Sequence, residues 1–398
     1  MKNISTTQEY KQTEIGVIPA DWDVKRLGDI AHVATGNTPP TSDRSNYGED
    51  YFFVSPADLG RGKYILHSEK KLSKKGFDIS RKFPANSILF TCIGSTIGKS
   101  GIAPFELTSN QQINAIFPNE NYSSDYLFYF LDLIAPKIQS LAGEQAVPLV
   151  NKTEFEATLV ALPPNKAEQV FIGVALSDAD ILIKKLENLI EKKKNIKQGA
   201  MQELLTGKRR LAGFSDKWES KRLDDIFRVT RGQVLAMTKT TKYKIGDYRY
   251  PVYSSQTKEN GLAGYYKDYL FENCITWTTD GANAGDVKYR PGKFYCTNVC
   301  GVLESNKGYA NLCIASIFNS VSRNYVSYIG NPKLMNNVVA DIIITIPSSV
   351  EEQAAISEVI SDMDTEIEKL ELQLTKYQDI KQGMMQTLLT GKIRLLTK

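Results

Sequence analysis

The feature that most constrains this chain is a long helical stretch that occurs twice, Gln169 to Thr206 and Gln353 to Thr390. Each copy opens after a proline segment, Leu162-Pro163-Pro164 and Ile346-Pro347. Each closes with nearly the same run, Lys197-Gln198-Gly199-Ala200-Met201-Gln202-Glu203-Leu204-Leu205-Thr206-Gly207-Lys208 and Lys381-Gln382-Gly383-Met384-Met385-Gln386-Thr387-Leu388-Leu389-Thr390-Gly391-Lys392. The offset is 184 residues at both ends (353 − 169 and 390 − 206), so nothing has been gained or lost between them. A helix turns such a count into a distance at ~1.5 Å per residue, about 57 Å for each copy.

Apolar residues in both copies alternate steps of four and three: Ile172, Leu176, Ala179, Ile183, Leu186 and Ile190, matched by Ile356, Ile360, Met363, Ile367, Leu370 and Leu374. That spacing places one apolar seam on each helix and predicts that the two seams pair. Charge agrees, because the first copy carries six Lys against five acids and the second three Lys against seven. The first helix leads out of one half and the second ends the other, so the pair is expected to be antiparallel with the halves at opposite ends.

A chain of 398 residues has room for two cores, and 42% hydrophobic with 24% charged residues is a globular composition. The net charge of +4 permits nucleic-acid binding without arguing for it. The absence of a run of about 18 apolar residues and of an apolar leader in Met1 to Tyr10 predicts a cytoplasmic protein with no membrane contact. Five cysteines and two histidines supply no four-ligand zinc set, so reduced, packed thiols and no metal or cofactor are expected.

Smaller echoes mark two scaffolds. Trp22-Asp23-Val24-Lys25-Arg26-Leu27 returns as Trp218-Glu219-Ser220-Lys221-Arg222-Leu223 at an offset of 196, so the first half holds 12 more residues (196 − 184) between its Trp and its helix. Gly94-Ser95-Thr96-Ile97-Gly98 pairs with Gly281-Ala282-Asn283-Ala284-Gly285 at 187, and Ser109-Asn110 is matched with Thr297-Asn298 at 188. Strands are expected at 87–91, 114–117, 275–278 and 341–346, helices at 126–134 and 312–321.

Enzyme motifs fail. Gly94 to Ser100 has three residues between its glycines where a phosphate-binding loop needs four, and Asp286 stands where Lys99 does. Gly36-Asn37-Thr38-Pro39-Pro40 lacks the Asn-Pro junction and aromatic residue of an adenine-methyltransferase signature, and neither His32 nor His67 lies near a nucleophile and an acid.

The Trp22/Lys25-Arg26-Leu27 opening, the Glu168-Gln169 and Glu352-Gln353 helix entries after proline, and the Gln-Gly-x-Met-Gln-x-Leu-Leu-Thr-Gly-Lys endings resemble the DNA-specificity subunit of type I restriction-modification systems, twice over and across nearly the whole chain. The resemblance implies an α/β fold class: two globular α/β target-recognition domains separated by two long antiparallel helices, a coiled coil with an internal pseudo-twofold repeat. The expected order is an N-terminal segment at 1–20, target-recognition domain 1 at 21–166, a central helix at 167–207, target-recognition domain 2 at 208–350, and a C-terminal helix and tail at 351–398. It also implies a bipartite double-stranded DNA site with a fixed gap, no catalysis in this chain, docking of two adenine-methyltransferase subunits, and motor-nuclease subunits that join for restriction. S-adenosylmethionine and ATP would then belong to those partners.

Base edges are read by Arg, Lys, Asn, Gln, Ser or Thr on loops, and phosphates by Lys, Arg and backbone amides. Candidates in the first domain are Asn37, Thr38, Thr41, Ser42, Arg44, Lys63, Ser95, Thr96 and Lys99. Those in the second are Arg231, Gln233, Lys239, Lys242, Tyr253, Ser254, Ser255, Gln256, Lys258, Asn260, Thr279, Asn283 and Lys288. Asn110, Gln111 and Asn298 are expected to hold a turn. Met201, Leu204, Leu205, Met385, Leu388 and Leu389 exceed one seam's needs and either close the helix ends or meet a partner. The competing reading is a structural coiled-coil adaptor that binds protein ligands rather than DNA.

Overall fold

The computed structural model describes residues 9–143, 146–255 and 258–395, with the side chain of Lys258 left aside. The chain divides into two compact units, one made of residues 1–187 and 373–398, the other of residues 188–372. Both cuts fall inside a helix, because each long helix, Lys166–Leu204 and Val350–Leu388, is a single 39-residue element.

Unit one is built on an antiparallel sheet in the order Val33–Thr35, Ile113–Ile116, Ile88–Thr91, Ser100–Ile102. A second sheet runs Lys70–Leu72, Tyr47–Val54, Leu107–Ser109, Lys82–Phe83, with Tyr47–Val54 and Leu107–Ser109 parallel. Unit two fuses both ideas into six strands: Arg228–Arg231, Cys300–Glu304, Phe271–Thr278, Val287–Cys296, Tyr250–Tyr253, Leu262–Tyr266. Its strand Val287–Cys296 is the counterpart, at an offset of 187, of the two first-unit strands Ser100–Ile102 and Leu107–Ser109. Both carry a proline at the same point, Pro104 and Pro291. The second strand bridges it by a register shift against Glu272 and Cys274, with Asn273 and Gly292 at positive φ.

The expected strands and helices appear with shifted ends. The last strand begins at Ile343 because Asn336–Asp341 is a short helix, and the helix expected at 126–134 runs Ser124–Gln139 from a Ser123 cap. Its counterpart Leu312–Ser322 is capped by Asn311. All five cysteines are buried and unpaired, and burial pushes the thiols of Cys92 and Cys313 up to about 12 and those of Cys274 and Cys300 to about 11.

In each unit the start of one long helix lies antiparallel to the end of the other. In unit one the second helix's Lys381 meets Asp180 at 2.6 Å, and the tail's Arg394 meets Glu168. In unit two the pairs are Lys193–Glu366, Lys194–Glu371, Lys197–Asp364 and Arg210–Glu352. Ile172 and Leu176 join the core of unit one with Met385, Leu388 and Leu389; Ile356 and Ile360 join that of unit two with Leu204, against which Met201 and Leu205 pack. Leu186, Ile190 and Ile367 are buried, and Ala179, Ile183, Met363, Leu370 and Leu374 half-buried.

The repeated words at the helix entries and exits now have physical content. Gln169 donates from Nε2 to the Pro163 carbonyl (3.0 Å) and accepts the Ser123 amide (2.9 Å); Gln353 donates to Pro347 (2.9 Å) and accepts from Asn311 Nδ2 (2.9 Å). Glu168 and Glu352, both almost wholly buried, each take a forked pair of bonds from an arginine, at 2.5 and 2.7 Å from Arg394 and 2.6 and 2.7 Å from Arg210. Those arginines sit over Trp22 and Trp218. Gly207 and Gly391, at φ of +68° and +69°, end the helices so that the tail can turn back to deliver them.

Candidate nucleic-acid interface

Four backbone bonds gather the same loops in each unit. In unit one Gly36 N donates to Ile113 O, Asn110 N to Val54 O, Cys92 N to Gln112 O and Gly94 N to Pro148 O; in unit two Gly232 N donates to Cys300 O, Thr297 N to Tyr253 O, Thr279 N to Val299 O and Gly281 N to Pro332 O. Both Gly-x-x-x-Gly motifs are hairpin turns, closed by Gly98 N to Thr91 O and Gly285 N to Thr278 O, with all four glycines at φ between +85° and +101°. From Cys92 and Thr279 to Ile113 and Cys300 the matching is 187 throughout, which corrects the sequence pairing of Ser109-Asn110 with Thr297-Asn298. Asn110 corresponds to Thr297, and Gln111 to Asn298. The fixing contact is a glycine: a Cβ on Gly36 would lie 2.2 Å from Asn110 O, and one on Gly232 2.3 Å from Thr297 O.

The mouth of unit one holds most of the first candidates. Asn37 Oδ1 accepts the Arg81 amide at 2.6 Å, and Thr38 donates to Gln111 Oε1 at 2.6 Å. Asn110 holds its turn through the Gln112 amide (3.1 Å). Thr41, Ser42, Arg44, Ser95 and Lys99 are exposed and Thr96 half-exposed. Between Ser42 and Arg44, Asp43 accepts from Lys75 (2.7 Å), which with Ser45 brings its pKa down to about 2. Lys63 is spent elsewhere: its ammonium pairs with Asp125 (2.6 Å) and donates to Ser177 (2.7 Å), tying its loop to the long helix. Arg81, which sequence reasoning missed, is exposed at this mouth and donates from Nη1 to the Thr35 carbonyl (2.5 Å). Its signal was the run Lys70, Lys71, Lys74, Lys75, Arg81 and Lys82 against only Glu69 and Asp78.

In unit two Arg231 donates to Thr279 Oγ1 (3.2 Å), Asp280 (3.1 Å) and the Asn298 carbonyl. Thr279 is buried and donates to Asp280 (2.6 Å), so it orients Arg231 from beneath. Ser254 accepts from Thr297 Oγ1 (3.1 Å), and the Ser255 carbonyl accepts from Asn283 Nδ2 (3.3 Å). Lys288 is half-buried beside Asp286 at 3.5 Å. Asn260 is exposed, and Tyr253 lies half-buried under the Arg290 guanidinium, whose pKa burial lowers. Gln233, Lys239 and Lys242 are exposed on the loop from Arg231 to Arg249, which carries five basic residues and one acid with Val234, Met237, Tyr243 and Ile245 exposed between them. Gln256 and the side chain of Lys258 lie outside the described residues.

Both mouths thus present cations and amide or hydroxyl groups on loops held by backbone bonds, the equipment for contacting phosphates and base edges. Among the described residues no cluster of three His, Cys, Asp or Glu could hold a metal, and no helix is long and apolar enough to cross a membrane.

The family model for the type I restriction modification DNA specificity domain matches twice, at residues 19–196 and 215–376. The chain is 33% identical over 243 residues to the type I restriction enzyme MjaIX specificity subunit of Methanocaldococcus jannaschii, covering 56% of each protein, so it spans about half the length of that relative. It is 24% identical to the MjaVIII specificity subunit of the same organism over 98% of this chain and 96% of that one. The solved S subunit of a type I restriction-modification system from M. genitalium shares the fold, with a TM-score of 0.64 at 16% identity over 96% of this chain and 98% of that one. The chain therefore belongs to the type I restriction-modification DNA specificity family, with two copies of its domain.

Proposed function

We propose that this chain is the DNA-reading, non-catalytic subunit of a type I restriction-modification complex, and that each mouth reads one part of an asymmetric bipartite site. The observation that carries the reading is that one backbone frame presents unlike side chains in its two copies. Thr35 stands where Arg231 does, Cys92 where Thr279 does, and Gln111 where Asn298 does. A repeat that kept these positions alike would read the same bases twice; this one is equipped for two different half-sites. The target-recognition domains are taken as 21–166 and 208–350, the intervening and C-terminal helices as 167–207 and 351–398.

Two adenine-methyltransferase subunits are the proposed partners, with motor-nuclease subunits for restriction, and S-adenosylmethionine and ATP are theirs to bind. Met201 and Leu205 line a groove of about 820 Å³ with Ile367, Ser316 and Asn319, which supports docking against the helix ends. The equal length of the two helices, 39 residues each, supports a fixed gap between half-sites, since a duplex returns the same groove face every 10 to 10.5 base pairs, about 34 to 36 Å.

Mapping adenine methylation in cells that express this chain with its methyltransferase subunit tests the reading. A two-part motif with constant spacing, of which one part changes when Asp21 to Pro163 is exchanged for another family domain, is the expected outcome. Methylation unaffected by that exchange overturns it. Retention on DNA that does not weaken with salt would favour the protein-ligand adaptor instead.

A further inference from the structure

Arg290 breaks the rules of the sheet it belongs to. It is 4% exposed, and its partners are the Tyr253 ring, 3.7 Å below the guanidinium, Thr276 Oγ1 (3.2 Å from Nε) and the Asn260 carbonyl (2.7 Å from Nη1). None of these is a carboxylate, and guanidinium stays protonated at any physiological pH, so among the described residues a full charge is buried in direct contact with neutral groups, with the carboxylate of Asp286 acting only at a distance.

The scaffold does not require it. At the offset of 187 the counterpart of Arg290 is Ala103, that of Thr276 is Leu89, and Tyr253 occupies the place of Val54, whose carbonyl accepts the equivalent amide. In unit one those three are wholly apolar and lie in one core cluster with Leu59, Ile65 and Ile113. The same frame therefore closes with alanine, valine and leucine in one copy and with arginine, tyrosine and threonine in the other. Departures of this kind, where a local rule is broken without need, mark functional positions.

The Arg290 side chain reaches the mouth of unit two from below. The carbonyl it holds belongs to a turn with two left-handed non-glycine residues, Glu259 at φ +49° and Asn260 at φ +56°, a conformation that costs free energy and persists only when its surroundings enforce it. The far side of that turn is fixed by Ser254 N to Gly261 O, and Ser254 is in turn held by Thr297.

We propose that Arg290, with Tyr253 and Thr276, is a positioning device specific to the second domain: it holds Ser254 and Asn260 where they contact DNA and thereby sets selectivity for that domain's half-site. The inference rests on the proposed DNA-reading function and goes beyond it by assigning one half-site's selectivity to a buried residue that touches no base.

The test uses the full chain assembled with its methyltransferase subunit. The probes are the duplex carrying the site mapped for the native chain, two duplexes with one or the other half scrambled, and a random duplex. The variant is the internal swap Arg290→Ala with Thr276→Leu, which installs the residues unit one carries at those two positions, Ala103 and Leu89, and keeps Tyr253; Arg290→Lys is the companion that keeps the charge and loses the planar face. Both variants are expected to lose at least tenfold of the discrimination against scrambling of the second domain's half-site. Discrimination at the other half and affinity for the random duplex stay unchanged, and exchange protection of the Ser254 amide falls while strands Phe271–Thr278 and Cys300–Glu304 stay protected. Unchanged selectivity at the second half-site in the folded swap overturns the proposal. So does loss of protection across those strands, which would make Arg290 a plain structural element. A native complex with no bipartite selectivity at all brings down the DNA-reading function itself, a distinguishable result.

Discussion

Removing Arg394 should cost unit one more than any other single truncation in the tail. The guanidinium forks onto Glu168 at 2.5 and 2.7 Å, forks again onto Asp21 at 2.9 and 3.0 Å, and lies over Trp22. Glu168 is 1% exposed, so Arg394→Ala leaves a buried carboxylate without its partner, a loss of about 3–5 kcal/mol. Unit one comprises 187 and 26 residues, 213 in all, and a domain of that size shifts by about 2–4 °C per kcal/mol. The transition assigned to unit one should therefore fall by about 6–20 °C in calorimetry of the full chain. Arg210→Ala should move the unit-two transition by less, because Arg210 forks onto Glu352 alone and its side chain is 25% exposed. Replacing both partners by apolar residues, Arg394→Met with Glu168→Leu, should recover most of the loss, since the penalty is the unpaired charge rather than the missing pair. A double-mutant cycle giving a coupling below about 1 kcal/mol, the range of exposed pairs, would refute the assignment of Glu168 as a buried partner.

Gly391→Ala should destabilise unit one well beyond the effect of Gly207→Ala on unit two, as urea midpoints would show: both glycines are left-handed, at about 1 kcal/mol for a Cβ, but only at Gly391 does that Cβ fall 2.4 Å from Pro19 Cγ, against 3.4 Å to Trp218 at Gly207. Lys242→Ala should lower the slope of log affinity against log salt by about 0.9, the signature of one lost phosphate contact, while Lys63→Ala leaves the slope unchanged because its ammonium is bound to Asp125 and Ser177; equal slope changes would overturn the separation of these two lysines. Inserting the same number of residues at matched points of both long helices should alter the gap in the methylated motif and leave both half-sites intact, read by methylation mapping. Gly36→Ala should abolish folding of unit one, whereas Thr41→Ala, Ser42→Ala and Arg44→Ala should each stay within about 0.5 kcal/mol of the native stability, measured by denaturant unfolding.

The repeat was legible because its constraints are local and chemical: a helix entry needs its Gln to cap a proline carbonyl, and a helix exit needs a left-handed glycine. The clasp itself was missed although its signal was present, since Arg210 and Arg394 stand 184 apart, as do Glu168 and Glu352. The sequence match of Ser109-Asn110 with Thr297-Asn298 followed side-chain likeness, but the frame is set by main-chain contacts to Gly36 and Gly232, which do not depend on whether the partner is Asn or Thr. Lys63 looked like a free loop cation because sequence spacing gives no hint that its four-carbon stem reaches Asp125 and Ser177, 62 and 114 residues on. Arg290 was invisible for a related reason: a charged residue beside Pro291-Gly292 reads as a turn, and only the strand's continuation past that proline puts it inside.

The unequal spacing of the repeat explains why these two mouths differ while their clasps do not. Between Gly36 and Gly94 unit one carries nine more residues than unit two does between Gly232 and Gly281, the difference of the offsets 196 and 187, and only three more from there to the helix. The nine are a net figure: unit one has twelve more residues between Val54 and Gly94 than unit two has between Tyr253 and Gly281, and three fewer between Gly36 and Val54 than unit two has between Gly232 and Tyr253, the stretch that holds the basic loop up to Arg249. Main-chain bonds across the mouth tolerate such exchange, because Gly36 N to Ile113 O and Gly232 N to Cys300 O are the same bond whatever the side chains around them. A carboxylate buried under an arginine tolerates none, since losing either partner strands a charge. Variation is thus confined by energetics to the end of each sheet where reading is proposed, and constancy to the helix ends.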